Sequence, residues 1–189
     1  MRISSPDRTI RNYSFRIIMD SGAFTNRKEK MILRDLKEDE TELLKEFLYE
    51  AIFLPENVEP PDRSILDQPE LEVYYKDFGS GNADHCIVAE DKGRVVGAVW
   101  TRIMNDYGHI DSDTPSFAIS LYKAYRGRGI GKAMMCEMLD WLRTEGFKRA
   151  SLAVQKANYA VKLYVSVGFT VVDETDEEYI MACDLQKIL

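Results

Sequence analysis

The chain has 189 residues with 25 basic and 32 acidic side chains, so its net charge is −7; 45% of residues are hydrophobic and 30% charged. This usage excludes a mostly disordered, collagenous or coiled-coil chain and argues against a general nucleic-acid binder. The length suits one domain with a real core.

No apolar run reaches the length of a membrane span, and Arg2, Arg8, Arg11 and Arg16 are spread through the first twenty residues rather than set before an apolar stretch. Neither a membrane segment nor a secretory leader is expected. Cys86, Cys136 and Cys183 are odd in number and widely spaced, which fits free thiols in a cytoplasmic protein. They have no zinc-ligand spacing, and neither His85 nor His109 lies in a ligand-spaced cluster, so no metal is expected.

Residues 1–30 are polar, with Pro6 and a basic cluster at Arg27, Lys28 and Lys30. They read as an extension preceding a domain over 31–189, although Asn12 to Met19 has some strand character. Met31 to Leu36 reads as a short strand. Leu43, Leu44, Phe47, Leu48, Ala51 and Ile52 form a one-sided helical stripe, and Pro55 ends it. A second helix is expected over Pro69 to Phe78, with proline at its start. His85 to Glu90 and Arg94 to Met104 pair as a hairpin through Asp91-Lys92-Gly93. Asn105 to Pro115 is a polar loop. Phe117, Ile119 and Leu121 alternate as in a strand. Gly129 to Thr144 is helical, with Gly146 as its stop. Arg149 to Gln155 is a strand, Ala157 to Val167 a short helix, and Phe169 to Glu174 with Tyr179 to Asp184 a closing hairpin. The order β α α β β β α β α β β implies an α/β fold with a mixed, mostly antiparallel twisted sheet flanked by helices.

Charge is distributed unevenly. Asp35 to Asp62 holds ten acidic and two basic residues, whereas Lys123 to Lys132 holds four basic and no acidic ones. A local basic patch on an acidic chain suits a small anionic ligand. The patch coincides with the most informative stretch, Ile119 to Lys132, where a strand runs into a glycine-rich turn that opens an amphipathic helix. Glycines let backbone approach a ligand at positive φ, and the N–H groups of a helix start attract an anion. A pyrophosphate is the natural guest. The dinucleotide fingerprint fails because the sixth position from Gly127 is Lys132. The P-loop fails at Arg126 and Ala133.

What fits is Arg-x-x-Gly-x-Gly at Arg126, Gly129 and Gly131, which closely resembles the acyl-CoA signature of the GCN5-related N-acetyltransferase (GNAT) family. Tyr125-Arg126-Gly127 has that family's aromatic-Arg-Gly entry, and Asn158…Leu163-Tyr164…Gly168-Phe169 looks like its second signature. The resemblance runs from about Met31 to Leu189. It implies the family's acyltransferase fold, acetyl-CoA as co-substrate, and direct transfer of an acetyl group to an amine on a small molecule or peptide, with no nucleic-acid or membrane partner.

By that resemblance, Arg126, Gly127, Arg128, Gly129, Gly131 and Lys132 bind the pyrophosphate. Ile119 and Leu121 offer backbone groups to the pantetheine arm where two parallel strands splay, and a bulge there would free an N–H for the thioester carbonyl. Asn158 bonds the arm or caps its helix. Tyr164 is the general acid for the leaving thiolate or a packed tyrosine. The tyrosine follows the asparagine by six residues, where seven is commoner in the family. The general base is open. The family's glutamate position reads Ser116, which cannot serve, leaving His109, Asp111 and Asp113 as candidates beside their reading as solvated loop residues. Cys136 reads as packing. Trp100, Arg102, Tyr74, Tyr75 and Tyr107 line an acceptor pocket or belong to the core. The acidic first helix suits a cationic acceptor such as a polyamine or lysine. Two rivals remain: a non-catalytic acyl-CoA binder of the same fold, and an interaction protein docking through residues 1–30. Many family members pair, so a homodimer is a further expectation.

Overall fold

The computed structural model describes residues 16, 17, 31–55 and 57–187. Among the described residues, eight strands form one sheet in the order β1-β2-β3-β4-β5-β6-β8-β7. They are β1 (Arg16–Ile17), β2 (Ile32–Asp35), β3 (His85–Asp91), β4 (Arg94–Arg102), β5 (Ser116–Leu121), β6 (Arg149–Gln155), β7 (Thr170–Glu174) and β8 (Glu178–Asp184). The helices are α1 (Leu43–Ala51), α2 (Pro69–Glu72), α3 (Ile130–Thr144) and α4 (Ala160–Ser166). Neighbouring strands run antiparallel except β5 and β6. The mixed, mostly antiparallel sheet is therefore as expected. Only Arg16 and Ile17 of the first thirty residues are described; they pair with Leu33 and Ile32 of β2. The remainder of that segment, and its role, lie outside the described residues.

Period-two alternation splits the core into two layers. Cys86 and Val88 of β3, with Ala98 and Trp100 of β4, face Leu44, Phe47 and Leu48 of α1. Ile87 and Ala89 face Met134, Met135 and Met138 of α3. The β3–β4 register shifts between Ala89 and Glu90, where Ala89 pairs with Gly97 but Glu90 with Val95. The extra residue is Val96. The bulge turns Val96 into the α3 layer, whereas strict alternation would have sent it to the α1 layer. Lys92 (φ 55°) and Gly93 (φ 78°) close this hairpin with two consecutive left-handed residues, the geometry that matches strand twist.

The expected helix over Pro69–Phe78 is cut to Pro69–Glu72. Side chains from β4 capture the carbonyls that would have continued it. Arg102 donates to Val73 O and Lys76 O, and Trp100 Nε1 donates to Tyr74 O. Asp77 then turns the chain at φ 52°.

Candidate active site

The parallel neighbours β5 and β6 meet at one point. Ser116 pairs with Ser151, and Ser151 N–H donates to Pro115 O at 2.9 Å. Beyond that vertex no further register pair joins them, so the strands diverge toward the glycine turn. On the other side Tyr122 N–H donates to Val96 O at 3.0 Å. Antiparallel alternation then directs the backbone groups of Ser120 and Ala118 to β4, and those of Phe117, Ile119 and Leu121 into the gap. Leu121 O is already engaged by Arg126 Nε at 2.7 Å, which leaves Ile119 as the residue nearest the middle of the gap. The bulge expected in β5 is absent. Its pairing with β4 runs unbroken from Gly97↔Leu121 to Arg102↔Ser116, because each β5 residue has a β4 partner that keeps its ladder straight.

At the open end a 3-10 turn over Lys123–Tyr125 leads into Gly127 (φ 72°) and Gly129 (φ 79°), and Gly129 is the N-cap of α3. A Cβ at either glycine would meet no atom within 4 Å, so the turn presents bare backbone. The first bond of α3 runs from Ala133 N–H to Gly129 O at 3.1 Å, and the N–H groups of Ile130, Gly131 and Lys132 precede it without an intrahelical acceptor. Arg128 lies over the Tyr125 ring at 5.4 Å, and Tyr125 OH donates to Asp91. Lys132 is exposed and forms no ion pair among the described residues. Arg126 is committed elsewhere. Besides Leu121 O it reaches the carbonyl and carboxylate of Glu50 at the end of α1, which anchors the turn.

The α4 helix runs along the gap from this end, and Phe169 just beyond it packs edge-on to Phe117 of β5. A Cβ on Gly131 would lie 3.4 Å from Leu163 and 3.6 Å from Leu121, so turn, strand and helix meet there. Tyr164 is 9% exposed and packs against Phe169, with ring centroids 6.1 Å apart. Its hydroxyl makes no hydrogen bond among the described residues, yet no sealed polar side-chain atom lacks a partner, so the hydroxyl keeps access to solvent. Burial raises its pKa and keeps the phenol protonated. Asn158 Oδ1 accepts from Ala160 N–H at 2.9 Å, which caps the start of α4.

The loop candidates for a base are poorly suited. Asp111 pairs with Arg149 and accepts from Asp113 N–H, and hydrogen bonding holds its carboxyl below the usual range. Asp113 and His109 are exposed, and His109 Nδ1 sits 3.0 Å from Met104 O. Trp100 is fully buried and Arg102 is consumed by Val73, Lys76 and Asp84, so both brace the sheet rather than line a pocket. Tyr75 OH donates to Leu66 O, and Tyr107 is exposed. Cys136 is exposed on α3, against the expectation of packing, because it falls on the face opposite Met134 and Met138.

Sequence reasoning missed Asp106. It is half-buried, accepts from Ser116 Oγ at 2.8 Å and Tyr74 OH at 2.9 Å, and burial raises its pKa despite those two bonds. It sits in an unpatterned polar loop and its partners lie ten and thirty-two residues away, so no spacing pointed to it. No cluster of His, Cys, Asp or Glu suited to a metal occurs among the described residues. None of their helices is long and apolar enough to cross a membrane.

The model of the acetyltransferase (GNAT) family matches residues 46–169. A mycothiol acetyltransferase of Thermobispora bispora is 34% identical over 85 residues, 44% of this chain and 29% of that protein. N-acetyltransferase 8 of Rattus norvegicus is 33% identical over 97 residues, 51% of this chain and 42% of that protein. The chain thus spans less than half the length of these relatives. Among solved structures, a GCN5-related N-acetyltransferase from Kribbella flavida superposes with TM-score 0.59 at 23% identity, covering 82% of this chain and 97% of that one. A Salmonella typhimurium protein solved with its cofactor acetyl-CoA gives TM-score 0.57 at 18% identity, with 84% and 95% covered. At these identities the structures share the fold.

Proposed function

The chain belongs to the GNAT family of acetyltransferases, and from that premise we propose that it transfers an acetyl group from acetyl-CoA directly to an amine. The observation that carries the reading is the gap between β5 and β6, which opens beside a glycine turn with bare backbone and unengaged helix N–H groups.

The N–H groups of Ile130, Gly131 and Lys132 donate to the pyrophosphate at the positive end of α3. Arg128 and Lys132 add full charges, Gly127 and Gly129 keep the approach clear, and Arg126 holds the turn to β5 and α1. The backbone of Ile119, beside Leu121, bonds the two amides of the pantetheine arm as an added strand would. Asn158 holds the α4 start, and its remaining amide hydrogens are available to the arm. Acetyl-CoA, when bound, supplies the activated thioester. Tyr164 holds the proton that the departing sulfur needs, and its raised pKa keeps that proton in place until negative charge develops beside it.

Residues 31–189 form the catalytic unit in this reading, and the acceptor is an amine on a small molecule or peptide. A cytoplasmic setting fits the scattered cysteines. A homodimer is part of the same proposal, because β7 ends the sheet as an exposed edge carrying Val171 and Val172. Coenzyme A binding by calorimetry, followed by thiol release from acetyl-CoA across a panel of amines, tests the function. Binding without amine-dependent release would favour a non-catalytic acyl-CoA binder. No binding would favour an interaction protein.

A further inference from the structure

We infer that Asp106 receives the acceptor ammonium and takes its proton, at the closed end of the β5–β6 gap. The inference rests on the acetyl transfer proposed above and supplies the base that the loop candidates do not.

Position comes first. Asp106 lies in the loop after β4, and that loop is pressed against β6. A Cβ on Gly108 would fall 2.8 Å from both Ala153 N and Leu152 C, so only glycine permits the approach. One carboxylate oxygen is held by Ser116 Oγ at 2.8 Å, and Ser116 Oγ is itself 3.3 Å from Ser151 Oγ across the vertex. The carboxylate therefore stands where β5 and β6 are still joined. From Leu121 to Ser116 an extended strand covers roughly 17 Å. An arm entering from the glycine turn and lying along Ile119 ends its run at this vertex.

The grip on the carboxylate is rigid. Tyr74 OH holds the second oxygen at 2.9 Å, Trp100 Nε1 fixes Tyr74 O at 3.0 Å, and Arg102 bonds the carbonyls of Val73 and Lys76 on either side. Trp100 and Arg102, which the sequence left open between an acceptor pocket and the core, brace the tyrosine that orients the acid. Charge points the same way. The polar groups around the carboxylate are Tyr74 after α2, Ser116 of β5, Ser151 of β6 and the backbone N–H groups of Asp106 itself and Gly108. Tyr107 and Glu178 of β8 bear electrostatically on Tyr74, and His109 turns its Nδ1 to Met104 O. No lysine or arginine pairs with Asp106 among the described residues. A half-buried carboxylate held by two hydroxyls and backbone N–H groups, all of them neutral, and by no cation is short of one positive partner. A primary ammonium supplies it.

The step balances. The acceptor nitrogen bonds to the acyl carbon while the carbon–sulfur bond breaks. Of the two protons the ammonium loses, Asp106 takes one and passes it to water. The other restores Tyr164, which has protonated the thiolate.

The test compares wild type with Asp106→Asn, which keeps the shape; its Oδ1 still accepts from one hydroxyl, and its Nδ2 donates to the oxygen of the other. The probes are n-butylamine, spermidine and a lysine-containing peptide, at pH 7 and pH 9.5. The coenzyme A Kd should not move. Amine kcat/KM should fall about 10²–10³-fold at pH 7, within the range for lost proton transfer. The deficit should close to under about tenfold at pH 9.5, because the free-amine fraction grows about tenfold per pH unit below the amine pKa. A folded variant within about threefold of wild type at pH 7, or one with the same deficit at both pH values, would overturn the inference. If Asp106→Asn does not fold, Tyr74→Phe serves. Losing one hydrogen bond to the carboxylate should raise the acid limb of the pH–kcat/KM profile, and an unmoved limb would overturn the inference. A wild type that binds coenzyme A and acetylates none of the three amines would overturn the acetyl-transfer reading and this one together.

Discussion

Replacing Gly129 by valine separates the ligand's need for bare backbone from the protein's need to fold. Gly129 caps α3 at φ 79°, in the left-handed region. A residue with a Cβ costs about 1–2 kcal/mol there, and a β-branched one sits at the upper end. A Cβ there meets nothing within 4 Å, so backbone strain is the main cost and the variant should fold. In a domain of this size that strain lowers Tm by roughly 2–8 °C. A side chain at this N-cap narrows the approach to the N–H groups of Ile130, Gly131 and Lys132. Losing about 1.5–3 kcal/mol of hydrogen bonding to a charged phosphate weakens coenzyme A binding about 10–200-fold. Gly131→Ala is the control. Its Cβ would make ordinary contacts with Leu163 and Leu121, and alanine favours the helix, so stability should hold or rise by up to about 1 kcal/mol. Scanning fluorimetry and titration calorimetry read both quantities. A folded Gly129→Val with wild-type affinity would refute the location of the pyrophosphate site.

Tyr164→Phe keeps the ring against Phe169 and removes the hydroxyl; kcat should drop about 10²–10⁴-fold with little change in the acetyl-CoA KM, and a drop under about threefold would reduce the residue to packing. A chain starting at Met31 should keep its coenzyme A affinity while exposing the β2 edge that Arg16 and Ile17 cover, read as lower solubility in light scattering; lost affinity would count against a separable extension. Hydrogen bonding from Arg34 holds Glu40 at about 2 against 4.5. This lowered pKa stabilises the fold above the unfolded value and is lost as pH falls through about 2. Glu40→Gln should therefore flatten acid unfolding between about pH 5 and 2 and cost about 1 kcal/mol at pH 7 after solvent screening, measured by urea titration.

Elements governed by local periodicity were legible in the chain. The α1 stripe, the α3 face from Ile130 to Leu142 and the alternation of β3 and β4 each reflect burial on one side of a regular element. Gly127 and Gly129 were legible as well, since a turn feeding a helix start at positive φ tolerates little else. Features set by distant side chains were not. The shortened α2 depends on Arg102 and Trp100, nearly thirty residues away, taking its carbonyls. The bulge that turns Val96 into the α3 layer leaves no compositional trace, and the family resemblance pointed to one in β5 instead. Asp106 looked like any loop acid until Tyr74 and Ser116 closed on it. Asn158 had two readings; its cap on Ala160 N–H is visible, and its contact with the arm belongs to the proposal.

The most direct measurement follows acetyl-CoA labelled with carbon-13 at the acetyl carbonyl, mixed with the protein and spermidine or a lysine-containing peptide, by carbon NMR. The account predicts that the thioester signal gives way to an amide signal on the amine, with one free thiol released per amide formed. A thioester that persists with coenzyme A affinity intact, or that decays only to acetate, would contradict it.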